Sequence, residues 1–207
     1  MSPANRPVIS KVANSDKGII TVEGPTASEK ISNYGINDGL RAFRPAWRQK
    51  EALVEIAADD GWIVTAINQN IIVGYIAFHP PGEFERWSEA ANPKILELGA
   101  IEVAPDFRNI RLGKEMMQVA FTDPIIENYI IISTEYCWHW DLEGTRLGLW
   151  EYRNMMTRLM QSVGMVKMDT DDPEIGYHPA NMLMVRIGSK VSPEDIAAFH
   201  ALLFKNI

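Results

Sequence analysis

The sequence predicts an α/β chain of the mixed, α+β kind: a single domain with a mixed central sheet and helices on both faces. Three observations carry this. Two runs rich in β-branched residues, "WIVTAIN" (62–68) and "IIVGYIAFH" (71–79), flank Gln69-Asn70, the pattern of a hairpin. A strand-like run at 95–103, a helical stretch at 112–121 and a β-branched run at 128–136 give a β-α-β order. Two more strand-like runs then precede a last helix. Hairpins early and a β-α-β connection later require strands of both directions in one sheet.

Taken in order, residues 1–16 are polar and read as a flexible N-terminal segment, leaving 17–207 as the domain. "GIITVEG" (18–24) reads as a strand. "TASEKIS" (26–32) opens on Thr/Ser with an acid soon after, a helix start. "RQKEALVEIAAD" (48–59) has apolar residues at 52, 53, 56 and 57, a helical stripe. The hairpin strands follow, then "EFERWSEAANPK" (83–94), a polar, partly helical connection. "ILELGAIEV" (95–103) is a strand, "LGKEMMQVAF" (112–121) a helix and "NYIIISTEY" (128–136) a strand. "TRLGLWEYRNMMTRLMQSVG" (145–164) reads as one long helix closed by Gly164. "MVKMD" (165–169) and "NMLMVRIG" (181–188) are the last strands. "SPEDIAAFHALLF" (192–204) is a helix with Ser192 as N-cap and Pro193 at its first position. No repeat, low-complexity tract or linker divides the chain.

The composition is that of a globular protein, 46% apolar and 23% charged over 207 residues. A net charge of −7 argues against general nucleic-acid binding, which needs a basic face. An anionic small ligand then requires a local cationic or N–H-rich pocket. The one cysteine, Cys137, excludes an intrachain disulfide and fits a reducing compartment. The first thirty residues lack the apolar run of a signal peptide, and no stretch approaches the roughly 18 apolar residues of a membrane span. The expectation is a cytoplasmic protein with no membrane or nucleic-acid partner.

The stretch "IEVAPDFRNIRLGKEMM" (101–117) is a strand-to-helix corner. Pro105 cannot donate to a ladder, so the strand stops there. The first N–H groups of the following helix have no intrahelical partner and lie at its positive end, ready for an anion. Arg108, Arg111 and Lys114 add charge, and Gly113 allows close backbone approach. Such a corner can hold a phosphate or pyrophosphate; the bland alternative is a helix start with solvated basic residues. The spacing is neither the dinucleotide-binding G-x-G-x-x-G nor the P-loop pattern.

"VAPDFRNIRLGK" (103–114) resembles the acetyl-CoA motif of the GNAT family of N-acetyltransferases, V-x-P-x-[YF]-[RQ]-x-x-G-x-[GA]-[KR]. It agrees at Val103, Pro105, Phe107, Arg108, Gly113 and Lys114 and departs at Arg111, where the family usually has glycine. The element order is also similar to that family's. A closer resemblance, over most of the chain, is to its acetoin-utilisation branch. It is carried by "VEGPTAS", "GLRAFR", "EALVEIA", "ERWSE", "ELGAIEVAPDFR", "TEYCWHWDL", "WEYRNMM" and "DPEIGYHPANMLMVRIG". The resemblance implies a protein-lysine acetyltransferase using acetyl-CoA and no metal, with acetyl-CoA synthetase as the protein inactivated. It implies pantetheine pairing with the backbone of Ile101, Glu102 and Val103. It implies a pyrophosphate on the N–H groups of Asn109, Ile110, Arg111, Leu112, Gly113 and Lys114, beside Arg108.

Lysine, with a pKa near 10.4, is neutral in only about one molecule per few thousand at pH 7, so transfer needs a base or a desolvating pocket. Glu97 and Glu102 lie on the strand before the corner. Glu97 has the spacing, eleven residues before Arg108, used by some lysine-acetylating relatives; Glu102 adjoins the thioester-binding backbone. Strand alternation places the two on opposite faces unless a bulge intervenes, and the choice stays open. The alternative is that both are solvated edge charges. The family's acid, a tyrosine four residues before the helix-closing glycine, is replaced by Met160; Tyr136 and Tyr152 are the nearby substitutes. In "EYCWHWD" (135–141), Cys137 beside His139 suggests a nucleophile, and His139 with Asp141 a pair. The resemblance argues for direct transfer, a lone cysteine is usually core packing, and Trp138 and His139 then contact the substrate. Four ligands at metal spacing are not evident. His178 reads as a structural hydrogen-bonder, and the methionines of "EYRNMMTRLM" as core. Two rival functions share these residues. One is a small-amine acetyltransferase with an acidic pocket of Glu97, Glu102 and Glu135. The other is a weakly active acyl-CoA-binding module that regulates a partner by docking.

Overall fold

The computed structural model describes residues 7–59, 61–89 and 94–205. Within one α/β domain, the chain packs as two compact units that share a strand: residues up to His79 with Gly99–Asp123, and Pro80–Leu98 with the residues from Pro124 on.

The first unit contains β1 (Ile9–Ser15), β2 (Gly18–Gly24), α1 (Ser28–Asn33), β3 (Gly35–Ile36), α2 (Ala46–Ala58), β4 (Trp62–Asn68) and β5 (Ile71–His79). It also holds the second half of β6 (Ile95–Val103), and α3 (Leu112–Thr122). Its strand order is β1-β2-β4-β5-β6, with β3 parallel to β5. The expected hairpin joins β4 to β5. Gln69 (φ 49°) and Asn70 (φ 68°) are both left-handed, which matches a two-residue turn to the strand twist. Every residue of β4 is buried, which requires cover on both faces; α2 and α3 both pack against it. The core includes Ile20, Val22, Leu53, Ile63, Ile72, Tyr75, Ile76, Met116 and Met117. Trp62 stacks on Phe78 at 4.7 Å.

The second unit contains the first half of β6, β7 (Ile130–Glu135), α4 (Leu142–Thr145), α5 (Leu149–Gln161), β8 (Val166–Met168), α6 (Pro173–Gly176), β9 (Met182–Ile187) and α7 (Pro193–Leu203). Its order is β6-β7-β9-β8, with β6 parallel to β7 and the other pairs antiparallel. Trp87, Ile95, Ile130, Ile132, Leu183, Val185 and Phe199 form its core. Arg86 binds the segment before α6 through Asp171 (2.5 Å) and Asp172 (3.1 Å). The cap of α7 is as expected, Ser192 accepting from the Asp195 N–H at 3.1 Å.

Several expectations are corrected. Residues 9–15, read as part of a flexible segment, form β1 and pair with β2 along their full length, from Ile9↔Gly24 to Ser15↔Gly18. Residues 1–6 lie outside the described residues. "ISKVANS" buries none of its side chains fully, so it carries no hydrophobic alternation to read. The helix expected over 145–164 is shorter: Arg146 (φ 58°) is left-handed and ends a preceding short helix, α4, so α5 begins only at Leu149 and runs to Gln161. Gly164 (φ 83°) closes α5 as expected. The 83–94 connection contains a 3-10 turn at Arg86–Glu89, with 90–93 outside the described residues. Among the described residues, no helix is long and apolar enough to cross a membrane.

Glu127 ties the turn before β7 to the end of β9. It accepts from the Ser189 N–H at 2.7 Å and pairs with Arg186. The Ser189 N–H, followed by the Arg186 guanidinium, holds the Glu127 carboxyl down to about 2 from 4.5. A depressed carboxylate stabilises the fold above its unfolded pKa and loses that contribution as pH falls through its folded one. Glu127→Gln therefore lowers Tm at pH 7, and thermal melts show the gap to wild type closing between about pH 4.5 and pH 2.

Candidate active site

The corner is built as the sequence requires. β6 ends at Val103, the Ala104 N–H extends its pairing to the Val73 carbonyl at 2.9 Å, and a 3-10 turn covers Pro105–Phe107. Phe107 is buried and anchors the turn. Asn109 (φ 65°) and Arg111 (φ 63°) are left-handed, and α3 starts at Leu112. Arg111 is the N-cap and supplies no capping side-chain bond, since arginine has no acceptor. The N–H groups of the first turn, at Leu112, Gly113 and Lys114, are thus left for an outside anion. The left-handed backbone explains why glycine suits position 111 in the motif. Arg111→Gly relieves that strain and raises stability by about 0.5–1 kcal/mol in urea titrations. Arg108 bends back on the strand, its Nε donating to the Val103 carbonyl at 3.2 Å, while Asn109, Arg111 and Lys114 are exposed.

The ladder between β6 and β7 covers Ile95–Glu97 against Ile130–Ile132. Among the described residues, that ladder does not extend to Ile101, Glu102 or Val103. A strand with one open edge can accept an extended ligand as an added strand.

The two carboxylates of β6 are committed unequally. Glu102 is buried and both of its oxygens are engaged: Oε1 accepts from the Ala42 N–H at 2.8 Å and Oε2 from the Tyr75 hydroxyl at 2.8 Å. Burial, and then the Glu102 charge, push the Tyr75 phenol far above its usual range, so it stays a donor at neutral pH. Gly74 allows this approach, because a Cβ there would press on the Glu102 carbonyl and the Met116 side chain, both at 3.2 Å. Glu102 is thereby a latch between β6 and the segment before α2. Glu97 is equally buried, but its described bond is to one oxygen: the Thr134 hydroxyl donates to Oε1 at 2.7 Å.

Glu135, at the end of β7, accepts from the Ser133 hydroxyl (3.1 Å) and from the Trp140 indole N–H (3.1 Å). Burial pushes its carboxyl upward, the Trp140 and Ser133 donors pull it back, and the Glu97 charge pushes it up again. Glu135 thus lies within electrostatic reach of Glu97.

Downstream, Cys137–His139 form a 3-10 turn. Trp138 and His139 are exposed. Tyr136 stacks on Trp138 at 4.9 Å, His139 meets both edge-on at 6.0 Å, and Tyr177 meets Trp138 at 5.9 Å. Trp140 stacks on Tyr152 at 5.2 Å. Burial keeps the Tyr136 phenol protonated by raising it well above its usual value. Asp141 caps α4, accepting from the Gly144 N–H at 2.9 Å. His178 accepts from the Ala180 N–H at 3.0 Å, a structural role. Met160, in the place of the family's tyrosine, is fully buried in α5. Among the described residues, no three His, Cys, Asp or Glu side chains are grouped to hold a metal.

Sequence reasoning missed Tyr75, Thr134 and Trp140. A tyrosine in an otherwise apolar strand and a threonine in a β-branched one look like packing until their partners are visible.

Residues 34–124 match the Acetyltransferase (GNAT) family. The chain is 49% identical over 197 residues to acetoin utilization protein AcuA of Bacillus licheniformis, covering 95% of this chain and 94% of that one. It is 47% identical over 188 residues to AcuA of Bacillus subtilis, covering 90% of each. The crystal structure of the acetoin utilization protein from Exiguobacterium sibiricum superposes with a TM-score of 0.93 at 47% identity, covering 96% of this chain and 95% of that one. The chain belongs to the GNAT acetyltransferase family, and it is an acetyl-CoA-dependent N-acetyltransferase.

Proposed function

We propose that the enzyme transfers acetyl from acetyl-CoA to a lysine of acetyl-CoA synthetase, inactivating it, as part of acetoin utilisation in the cytoplasm. Similarity to acetoin utilization proteins over almost the whole length supports the setting. The observation that carries the mechanism is the contrast between Glu97, whose described bond engages one oxygen, and Glu102, whose two oxygens are both engaged.

The N–H groups from Asn109 to Lys114, in the corner and the first turn of α3, hold the pyrophosphate, with Arg111 and Lys114 supplying charge. The open edge at Ile101, Glu102 and Val103 pairs with the pantetheine arm. A backbone N–H there faces the thioester oxygen as charge develops on it, a donor already in place. Glu97 takes the proton from the lysine ammonium, directly or through one water, while Thr134 fixes its carboxylate. The neutral amine attacks the thioester carbon, the C–N bond forms, the C–S bond breaks, and the extra proton on the acylated nitrogen passes to the CoA thiolate, which leaves as the thiol. Trp138 and His139 flank the incoming lysine stem. Acetylation converts an ammonium into a neutral amide, so the target loses a positive charge.

The test is peptide mass spectrometry of purified acetyl-CoA synthetase after incubation with the enzyme and acetyl-CoA. One lysine gaining the mass of a single acetyl group supports the reading. CoA release only with small amines moves the acceptor to a metabolite. Stable binding without acetylation makes the chain a docking regulator.

A further inference from the structure

The segment Arg41–Arg48, "RAFRPAWR", carries three arginines and no acid in a chain of net charge −7. Arg41, Phe43, Arg44, Trp47 and Arg48 are all exposed, with Phe43 at 42% and Trp47 at 58%. The Arg48 guanidinium lies over the Trp47 ring, 5.1 Å from its centroid. Among the described residues, no carboxylate forms an ion pair with Arg41, Arg44 or Arg48. A merely solvated basic face does not need two large aromatic side chains in water. Arginine and tryptophan together are the residues enriched where protein surfaces bind one another.

The segment is fixed from beneath. Leu40 is fully buried and Ala46 nearly so. The Asn37 N–H donates to the Ile72 carbonyl at 2.9 Å, and the Ala42 N–H to Glu102 at 2.8 Å. Gly39 lies so close to Pro105 that a Cβ would sit 2.7 Å from its ring. Its latch, Glu102, stands between Ile101 and Val103, the residues assigned above to the thioester arm. A protein that brings a lysine to that strand must therefore lie beside Arg41–Arg48.

We propose that Arg41–Arg48 is a docking surface for an acidic face of the protein acceptor, which holds that protein while one of its lysines reaches β6. The inference rests on the protein-acceptor reading. It also assigns a role to the local charge: in a chain of net charge −7, three adjacent exposed arginines attract an acidic partner face and orient its approach. Phe43 and Trp47 supply the apolar contact that outlasts salt screening.

The test compares wild type, the Arg41→Glu/Arg44→Glu/Arg48→Glu variant and Trp47→Ala. Each is assayed with intact acetyl-CoA synthetase and with a short peptide that carries, unmodified, the lysine the enzyme acetylates in that protein. The triple variant is expected to raise KM for the intact protein about tenfold or more, with both the peptide rate and KM for acetyl-CoA within about twofold of wild type. Added salt weakens wild type towards the variant, and Trp47→Ala raises KM for the protein without removing the salt dependence. A rise in KM for acetyl-CoA instead assigns the arginines to CoA phosphates and overturns the proposal. So does equal activity of all three on the intact protein, or loss of a wild-type dimer in sedimentation, which assigns the surface to a second copy. A wild type inert on the protein but active on small amines overturns the acceptor reading itself, and the docking surface with it.

Discussion

Glu97→Gln lowers kcat for acetyl transfer at pH 7 by about 10²-fold or more, while KM for acetyl-CoA stays close to wild type. The glutamine carbonyl still accepts from Thr134, the bond that positions Oε1 at 2.7 Å, so the strand end keeps its geometry. What is lost is an oxygen able to take a proton. The lysine ammonium must then shed its proton to water, and the neutral fraction is small until pH approaches about 10. Activity of the variant therefore climbs with pH more steeply than that of wild type. A pH–rate profile from 6 to about 10 reads this directly. A variant with full activity at pH 7 places the base elsewhere. Glu135, near Glu97 and itself pushed upward by burial, is the first group to examine in that event.

Glu102→Ala has its main effect on stability. It removes the only described acceptor of a hydroxyl on a fully buried tyrosine and of the Ala42 N–H. A buried donor left without a partner costs about 1–3 kcal/mol, and the exposed Ala42 can turn to water, so the loss is about 2 kcal/mol, read from denaturant titration. Tyr75→Phe removes one bond and leaves Glu102 with the other, and costs about 1–2 kcal/mol. The two substitutions share a partner, so the double variant falls short of their sum. Glu102→Gln, which can still accept from Ala42 while its amide faces the Tyr75 oxygen, keeps most of the stability and most of the turnover. A Glu102→Gln variant as inactive as Glu97→Gln contradicts the latch and makes Glu102 the base.

Much of the fold was legible because it is written in local chemistry. The β4–β5 hairpin follows from a dipeptide able to take two left-handed conformations, α7 from Ser192 and Pro193, and the end of α5 from Gly164. β1 was not legible, because its strand character comes from pairing with β2 and not from any apolar pattern of its own. The break at Arg146 was hidden because an arginine in a left-handed conformation leaves no mark in composition. At the site, the motif located the corner, but nothing in a linear pattern distinguishes two glutamates five residues apart on one strand. The distinction lies in Tyr75 and Ala42 on one side and Thr134 on the other, partners 27, 60 and 37 residues distant in sequence.

β1 also bears on handling the protein. Its seven residues satisfy the outer backbone groups of β2, and Lys11 reaches across to Gln118 and Glu115 on α3. Trimming the chain at residue 16 as a dispensable tail would uncover "GIITVEG", a β-branched edge ready to recruit the same edge from another molecule. The polar strand at the margin is in this sense a solubility device, and a preparation that aggregates after N-terminal proteolysis is the behaviour to watch for.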